Sequence, residues 1–488
     1  MMKSLIMFNR ICISSICRFI IFFCMALFYC KPAYSESKTC PNIILIVTDD
    51  MDIDSIKKMP KLQSLLVDNG VTFTNAFVSS PVCIPSRASI LKGQYMHTHG
   101  VIGAKEAAKL TSDNTTLAAI LHDNGYRTAM MGKYFNGFKP KSIPYGWDEW
   151  NEIITDNVYY NYKLRENDKY VDYGNNKEDY ISDVFKNKAI DFIKNSDQSH
   201  PFFLYFSTVA PHVPVISAEE FKNLFENEKI SFSFEDDLSD KPAWVRNFYA
   251  KNEYFDKPFF SIHKTDTKKA EKWYRNRWRT LQSIDNSILA ITDTLRDRNQ
   301  INNTYIFFVS DNGGGLSKHI QVGAKLSPYE EGIHVPFIAF GPSIPKNEKR
   351  NHVVSTVDLL PTIAEIAGIN FPDKIDGLSL LPVLAKKTVE KEKWRESVVV
   401  ELGAIDELSW TWRSVPPMYR ILRAEKYKYI EYITGEKEYY DLIADPNEMT
   451  NLYYKMTKDQ KKTFSENIQK SIKWEEWNSR SKKVDIND

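Results

Sequence analysis

Short apolar runs set the rhythm of this chain. Asn42-Ile43-Ile44-Leu45-Ile46-Val47, Pro201-Phe202-Phe203-Leu204-Tyr205-Phe206 and Thr304-Tyr305-Ile306-Phe307-Phe308-Val309 are continuous and rich in β-branched or aromatic residues. None alternates with polar positions, so each reads as a strand buried on both faces, the signature of a parallel sheet covered by helices. Residues 71–77, 126–131 and 335–340 read as further strands. Helical patterns fall between them at 61–68, from 88–91 onward, at 116–122 before Asn124-Gly125, at 180–194, at 273–296 with several arginines, and from 356–362. Strands alternating with helices predict an α/β fold with a mixed, mostly parallel sheet sandwiched by helices. After Lys386 the texture changes: short strands such as Tyr427-Lys428-Tyr429-Ile430-Glu431-Tyr432 alternate with turns before a charged helix. Residues 386–488 therefore read as a small antiparallel sheet plus helix, packed on a main domain of 36–385. Two stretches have no clear period. Residues 139–177, rich in Pro, Gly, Asn, Tyr and Trp, read as a long functional loop, and 217–267 as an irregular insertion.

The N-terminus reads as a leader. Lys3, Arg10 and Arg18 precede an apolar run from Phe19 to Cys30, and Ala33-Tyr34-Ser35 offers a small-x-small cleavage site. This is the pattern of a secretory signal peptide over 1–35. The run is short of the roughly 20 apolar residues of a membrane span, so no stable span is expected. Export places the protein in a secreted, periplasmic or lysosome-like compartment. Four of the six cysteines lie in the leader, which leaves Cys40 and Cys83. They either bridge each other or Cys83 is kept for chemistry. A formal net charge of +1 argues against electrostatic binding of nucleic acid, which needs a clearly basic surface.

Chemistry gathers where the strands end. The first run closes on Thr48-Asp49-Asp50, and the run at 304–309 closes on Ser310-Asp311-Asn312-Gly313. Ligands of open α/β sheets bind at that edge. Adjacent carboxylates repel unless a cation sits between them, and oxygen donors of this kind suit a hard ion such as calcium or magnesium. Arg87, Lys133 and Lys325 supply positive charge, Ala210-Pro211-His212-Val213-Pro214 holds a histidine on a stiff backbone, and Cys83 precedes Pro85, Ser86 and Arg87 at a helix start. As single features, a buried small thiol and a surface-loop histidine are the simpler readings. Together they describe a site for a tetrahedral oxyanion ester, with fixed cations and a metal to stabilise charge and a histidine to protonate the departing alcohol.

The residues in this order resemble the type I sulfatases. Cys83-Ile84-Pro85-Ser86-Arg87 is similar to that family's Cys-x-Pro-Ser-Arg signature, and Ala88-Ser89-Ile90-Leu91-Lys92-Gly93 continues it. Thr48-Asp49-Asp50, Gly132-Lys133, Pro211-His212-x-Pro214, Ser310-Asp311-Asn312-Gly313, Lys325 and Tyr329-Glu330-x-Gly332 follow the family's order, over roughly residues 41–380. Glu438-Tyr439-Tyr440-Asp441-Leu442 and Asp445-Pro446-x-Glu448 resemble its C-terminal subdomain.

The resemblance implies an alkaline-phosphatase-like fold and a sulfuric ester hydrolase. It implies that a maturation enzyme oxidises Cys83 to formylglycine, whose hydrate attacks sulfur and later expels sulfate. It assigns one calcium ion to Asp49, Asp50, Asp311, Asn312 and the modified Cys83. Arg87 would steady the diol, Lys133 and Lys325 would hold the sulfate, and His212 would donate the proton. Gly132-Lys133-Tyr134-Phe135-Asn136, Pro144-x-Gly146-Trp147-Asp148 and Tyr159-Tyr160-Asn161-Tyr162 look most like the N-acetylglucosamine-6-sulfatase branch. That implies a sulfated sugar or glycan substrate, with the aromatic 139–177 loop shaping its subsite. Two positions depart from the family. Phe135 and Gly315 stand where many members carry histidine, and His319 lies further on. The alternatives are a phosphate or phosphonate monoester hydrolase of the same superfamily and an inactive carbohydrate-binding relative.

Overall fold

Parallel strands need covering on both faces, and the central runs have it. The structure is a computed structural model that describes residues 40–137, 142–155, 158–231, 237–250, 267–315, 325–371, 374–385, 393–403 and 416–471. The leader at 1–35 and His319 lie outside these residues. The main sheet is built from β1 (Asn42–Thr48), β2 (Val71–Phe77), β3 (Arg127–Gly132), β4 (Glu149–Ile153), β5 (Tyr162–Glu166), β6 (Lys169–Tyr173), β7 (Phe202–Ser207), β8 (Thr304–Ser310), β9 (Phe337–Phe340) and β10 (Glu348–Ser355). Their order is β10-β2-β9-β8-β1-β7-β3-β4-β5-β6. The centre, from β8 through β4, is parallel; β9 runs antiparallel between β2 and β8, and β5 and β6 close the other edge antiparallel. The mixed, mostly parallel sheet matches the expectation.

Every residue of β1 is buried. Ile43, Leu45 and Val47 face one core and Ile44 and Ile46 the other, as the two-residue period of a strand requires. The first core is closed by helices α1 (Cys83–Lys92) and α2 (Leu117–Asp123), and the second by α3 (Ile181–Lys194) and α4 (Thr267–Asp297). On α4, Leu281, Ile284, Ile288, Ile291 and Leu295 recur at helical spacing and all lie in that second core.

The separate four-stranded sheet is an antiparallel meander of β11 (Ser397–Leu402), β12 (Tyr419–Ala424), β13 (Tyr427–Tyr432) and β14 (Lys437–Asp441). One face packs Val400, Ile421 and Ile430 against Phe77, Val78 and Tyr329 of the main body. The other packs Leu422 and Tyr429 against Ile468 of the closing helix α5 (Lys458–Ser471). Among the described residues no helix is long and apolar enough to cross a membrane.

Two local expectations are corrected. Helix α1 begins at Cys83 rather than near Ala88, because the Cβ-restricted Val82 stays extended (φ −142°, ψ 136°) and proline is tolerated in a first helical turn. The described part of 139–177 is not a free aromatic loop: it contributes β4, β5 and β6. Trp147, Trp150, Tyr159 and Tyr162 are at most 7% exposed, so these rings fill core rather than face a sugar. Mixed polar and aromatic composition hid strands that bury side chains while sitting at a sheet edge.

Candidate active site

Six of the site residues stand just beyond the carboxyl ends of central strands, while Cys83 and Arg87 come from α1 and Lys325 from a later loop. Asp49 and Asp50 follow β1, Lys133 follows β3, His212 lies beyond β7, and Asp311 and Asn312 follow β8. Strand register makes this one edge: Thr48 pairs with Ser310, Val47 with Ser207, and Ser207 with Gly132. Consecutive strand residues point to opposite faces, so two adjacent carboxylates would ordinarily diverge. Asp50 avoids this by adopting the left-handed conformation, with φ of 65°. That conformation is uncommon for a residue with a Cβ.

Ligand atoms of Asp49, Asp50, Cys83 and His212 all lie within 4.8 Å of one another, and the four residues are buried. Lys325 Nζ donates to Asp50 Oδ1 at 2.8 Å and to Cys83 Sγ at 2.9 Å. Lys133 Nζ donates to Asp49 Oδ2. The Cys83 thiol faces Asp49 Oδ1 at 3.6 Å. Arg87 Nε donates to Asp311 Oδ2 at 2.8 Å, and its Nη2 stands 3.6 Å from Asp49 Oδ2. Asp311 Oδ1 accepts the backbone N–H groups of Asp50, at 3.1 Å, and Asn312, at 2.8 Å. Asn312 Nδ2 donates to Asp50 Oδ1 at 2.6 Å. All nine residues singled out in the sequence thus meet in one cluster. Cys40 and Cys83 are both free, which excludes a bridge between them.

His212 Nδ1 donates to the Val213 carbonyl at 2.7 Å, which leaves Nε2 as the nitrogen turned toward Asp50 Oδ2, 3.5 Å away. The two positions that depart from the family bear on this. Phe135 is buried in the apolar core against Tyr134, with ring centroids 4.3 Å apart. Gly315 lies against Tyr274, whose hydroxyl would sit 2.9 Å from any Cβ there. Gly132 is required: at φ +122° an added Cβ would fall 1.7 Å from the Ser207 carbonyl, the same carbonyl that accepts the Lys133 N–H at 2.8 Å.

Burial acts on Cys83, Asp49, Asp50, His212 and Lys325 alike, and neighbouring charges decide whether it prevails. It raises the Cys83 thiol to about 12 against the opposing pull of Lys133 and Lys325, so an unmodified thiol stays protonated at neutral pH. Burial also works against ionised Asp49, but Lys133, His212 and Arg87 outweigh it and hold the carboxyl well below its usual range. Asp50 is lowered in the same way, chiefly by Lys325 against burial. Burial followed by Lys325 pulls His212 down to about 4. Lys325 resists its own burial because Asp50 lies beside it, and ends well above the usual lysine value.

The cluster of Asp49, Asp50, Cys83 and His212 could hold a metal ion. It offers carboxylate oxygens from Asp49 and Asp50, with Asn312 Oδ1 buried and without a hydrogen-bond partner among the described residues. An amide oxygen left bare in a closed site is costly unless something else takes it. Fixed cations on the same edge can hold an anion.

Sequence reasoning missed Ser207 and Arg277. Ser207 Oγ donates to the Lys133 carbonyl at 2.6 Å and accepts from Arg87. Arg277 is 1% exposed and donates to the Asp50 carbonyl. A signal for it existed: Tyr274, Arg277, Leu281, Ile284 and Ile288 share one helical stripe, so an arginine stood on an apolar face.

The helix-covered, mostly parallel sheet with its oxygen-rich, cation-lined carboxyl edge agrees with the alkaline-phosphatase-like fold that the resemblance implies. Comparison with known proteins narrows it. The family model described as Sulfatase matches residues 41–369, and one described as N-sulphoglucosamine sulphohydrolase, C-terminal, matches residues 324–475. The chain belongs to the sulfatase family. It is 34% identical over 381 residues to the N-acetylglucosamine-6-sulfatase of Capra hircus, covering 74% of this chain and 66% of that protein. The Homo sapiens protein of the same name is 33% identical, with 74% and 67% covered. The extracellular sulfatase SULF-1 homolog of Drosophila melanogaster is 32% identical, with 76% and 34% covered. The chain thus spans between about a third and two thirds of the length of these relatives. Among solved structures, a protein in complex with its substrate D-glucosamine-2-N,6-O-disulfate has a TM-score of 0.73 at 23% identity, covering 92% of this chain and 99% of that one. The phosphonate monoester hydrolase of Agrobacterium radiobacter has a TM-score of 0.72 at 17% identity, with 89% and 96% covered. Both share the fold.

Proposed function

We propose that this chain hydrolyses sulfate esters, and that its substrate is the 6-O-sulfate of N-acetylglucosamine or of a related sulfated glycan. The observation that carries the reading is the meeting of Cys83, Asp49, Asp50, His212, Lys133 and Lys325 at one sheet edge. The identity to N-acetylglucosamine-6-sulfatases supports the substrate.

In this reading Asp49, Asp50, Asp311, Asn312 and residue 83 hold one calcium ion, which supplies Lewis-acid stabilisation of charge on the sulfate. A formylglycine-generating maturation enzyme converts Cys83, and the aldehyde hydrate serves as the nucleophile that the buried thiol is not. Lys133 and Lys325 hold the sulfate oxygens through fixed ammonium groups. Arg87, locked on Asp311, steadies the hydrate. His212 would donate to the leaving alcohol from Nε2 only as the imidazolium, because Nδ1–H stays committed to the Val213 carbonyl and the neutral ring carries no proton on Nε2. The leader pattern at 1–35 supports export, as does the likeness to a protein named an extracellular sulfatase.

The test is release of inorganic sulfate by protein co-expressed with the maturation enzyme. N-acetylglucosamine-6-sulfate is compared with an aryl sulfate and a phosphate monoester. Preferred turnover of the sugar sulfate supports the whole reading; preference for the phosphate ester, or no turnover, sinks it. A mass spectrum of the peptide containing residue 83 should show a loss of about 18 Da for thiol-to-aldehyde conversion.

A further inference from the structure

We propose that Arg277 is a positioning residue of this site, holding the Asp50 peptide and the His212 loop in one fixed relation. The proposal rests on the metal-dependent hydrolase reading above.

Arg277 projects from α4. Its surroundings are unusual for a buried charge. Nη2 donates to the Asp50 carbonyl and Nη1 to the Pro211 carbonyl at 3.3 Å. The nearest carboxylate, Asp52, is 3.7 Å away, and Nε has no hydrogen-bond partner among the described residues. The Trp273 ring lies under the guanidinium, 4.8 Å from centroid to Cζ. A charge taken out of water costs several kcal/mol unless it is well paired, and apolar residues of similar volume often serve stability as well. This guanidinium spends its donors mainly on neutral carbonyls, which is poor compensation if stability were its purpose.

Those carbonyls belong to loops after different strands, β1 and β7. Asp50 is the left-handed residue that turns its carboxylate toward Asp49, and its peptide is held from both sides. Asp311 Oδ1 accepts its N–H at 3.1 Å, and Arg277 donates to its carbonyl. Pro211 immediately precedes His212, whose own carbonyl accepts the Tyr159 hydroxyl at 2.7 Å. Arg277 therefore sets the distance between a carboxylate proposed to bind metal and the histidine proposed to move the proton. A planar fork of N–H donors can span two carbonyls at once; a lysine ammonium on a flexible stem cannot hold the same geometry.

The experiment compares full-length wild type with Arg277→Lys and Arg277→Met. All are matured in the same host and checked for folding by circular dichroism. Turnover and calcium-dependent thermal stabilisation are measured in parallel. Arg277→Met should lose about a hundredfold in kcat with KM moved by less than about threefold, as expected of misplaced reacting groups. Its calcium concentration for half-maximal stabilisation should rise by about tenfold or more, with Arg277→Lys between it and wild type. Arg277→Met that keeps kcat and the calcium midpoint within about twofold of wild type overturns the proposal. So does a loss of kcat with an unmoved calcium midpoint. If wild type turns over no sulfate ester, the functional reading falls, while the calcium comparison still decides the role of Arg277.

Discussion

Two buried charge clusters in this molecule close their carboxylates with different partners. One joins the main body to the small sheet. Glu330 takes Arg423 on both carboxylate oxygens, at 2.8 and 2.9 Å, and Lys428 at 2.8 Å. Lys428 also bonds Glu448, at 2.5 Å, and the Pro328 carbonyl, while Glu448 returns to the Glu330 N–H at 2.7 Å. Nearby, Glu438 is closed by the hydroxyls of Tyr329, Tyr432 and Tyr440. The other cluster is the proposed active site. There Arg87 Nη2 stands 3.6 Å from Asp49, and neither it nor Asn312 Oδ1 has a hydrogen-bond partner among the described residues. Carboxylates clamped at short range describe a joint. A buried amide oxygen without a partner marks a place for something else to bind, since buried polar atoms are otherwise paired.

Substitutions can break this contrast. The largest effect should come from Cys83→Ala, with sulfate release falling by about a thousandfold or more while circular dichroism and the melting temperature stay near wild type. Substantial residual turnover would remove Cys83 from the chemistry. Glu330→Gln should do the reverse. It leaves Arg423 and Lys428 under-compensated and should cost about 3 kcal/mol of stability, read as a lowered denaturation midpoint, with turnover per folded molecule retained. If that variant melts like wild type, the joint is not the clamp its geometry indicates.

A pH-dependent effect concerns Glu152 of β4, which is fully buried, lies opposite Arg165 and is left under-satisfied at its carboxylate oxygens among the described residues. Burial raises its pKa from 4.5 to about 8. Between those values the folded protein keeps a proton that the unfolded chain has released. This group's contribution is therefore complete below pH 4.5 and is lost as pH rises toward 8. The slope is at most about 1.4 kcal/mol per pH unit. Glu152→Gln should flatten the fall in melting temperature between pH 5 and pH 8, roughly the window in which the folded form alone holds the proton. An unchanged slope would show that Glu152 is already ionised at neutral pH.

Much of this was legible in the residues. The runs at β1, β7 and β8 are apolar throughout because both faces are covered, so period and composition alone reported a covered sheet. Asp49, Asp50, Asp311 and Lys133 sit directly after strands, and strand ends are readable. The order of the short motifs carried the family. By contrast, β4 to β6 were invisible, since edge strands that mix Tyr, Asn and Lys have no clean alternation.

Determined by the sequence alone were the class of fold, the carboxyl edge as the proposed working edge, and nine of the residues that meet there. The tertiary structure alone decided how they meet. The left-handed turn at Asp50 sets two neighbouring carboxylates on one centre. The Val213 carbonyl selects the nitrogen of His212, and burial keeps the Cys83 thiol protonated. Arg277 reaches Asp50 across 227 residues of chain. These depend on which groups lose water together and which distant carbonyls come within hydrogen-bond reach. Local periodicity carries no record of either.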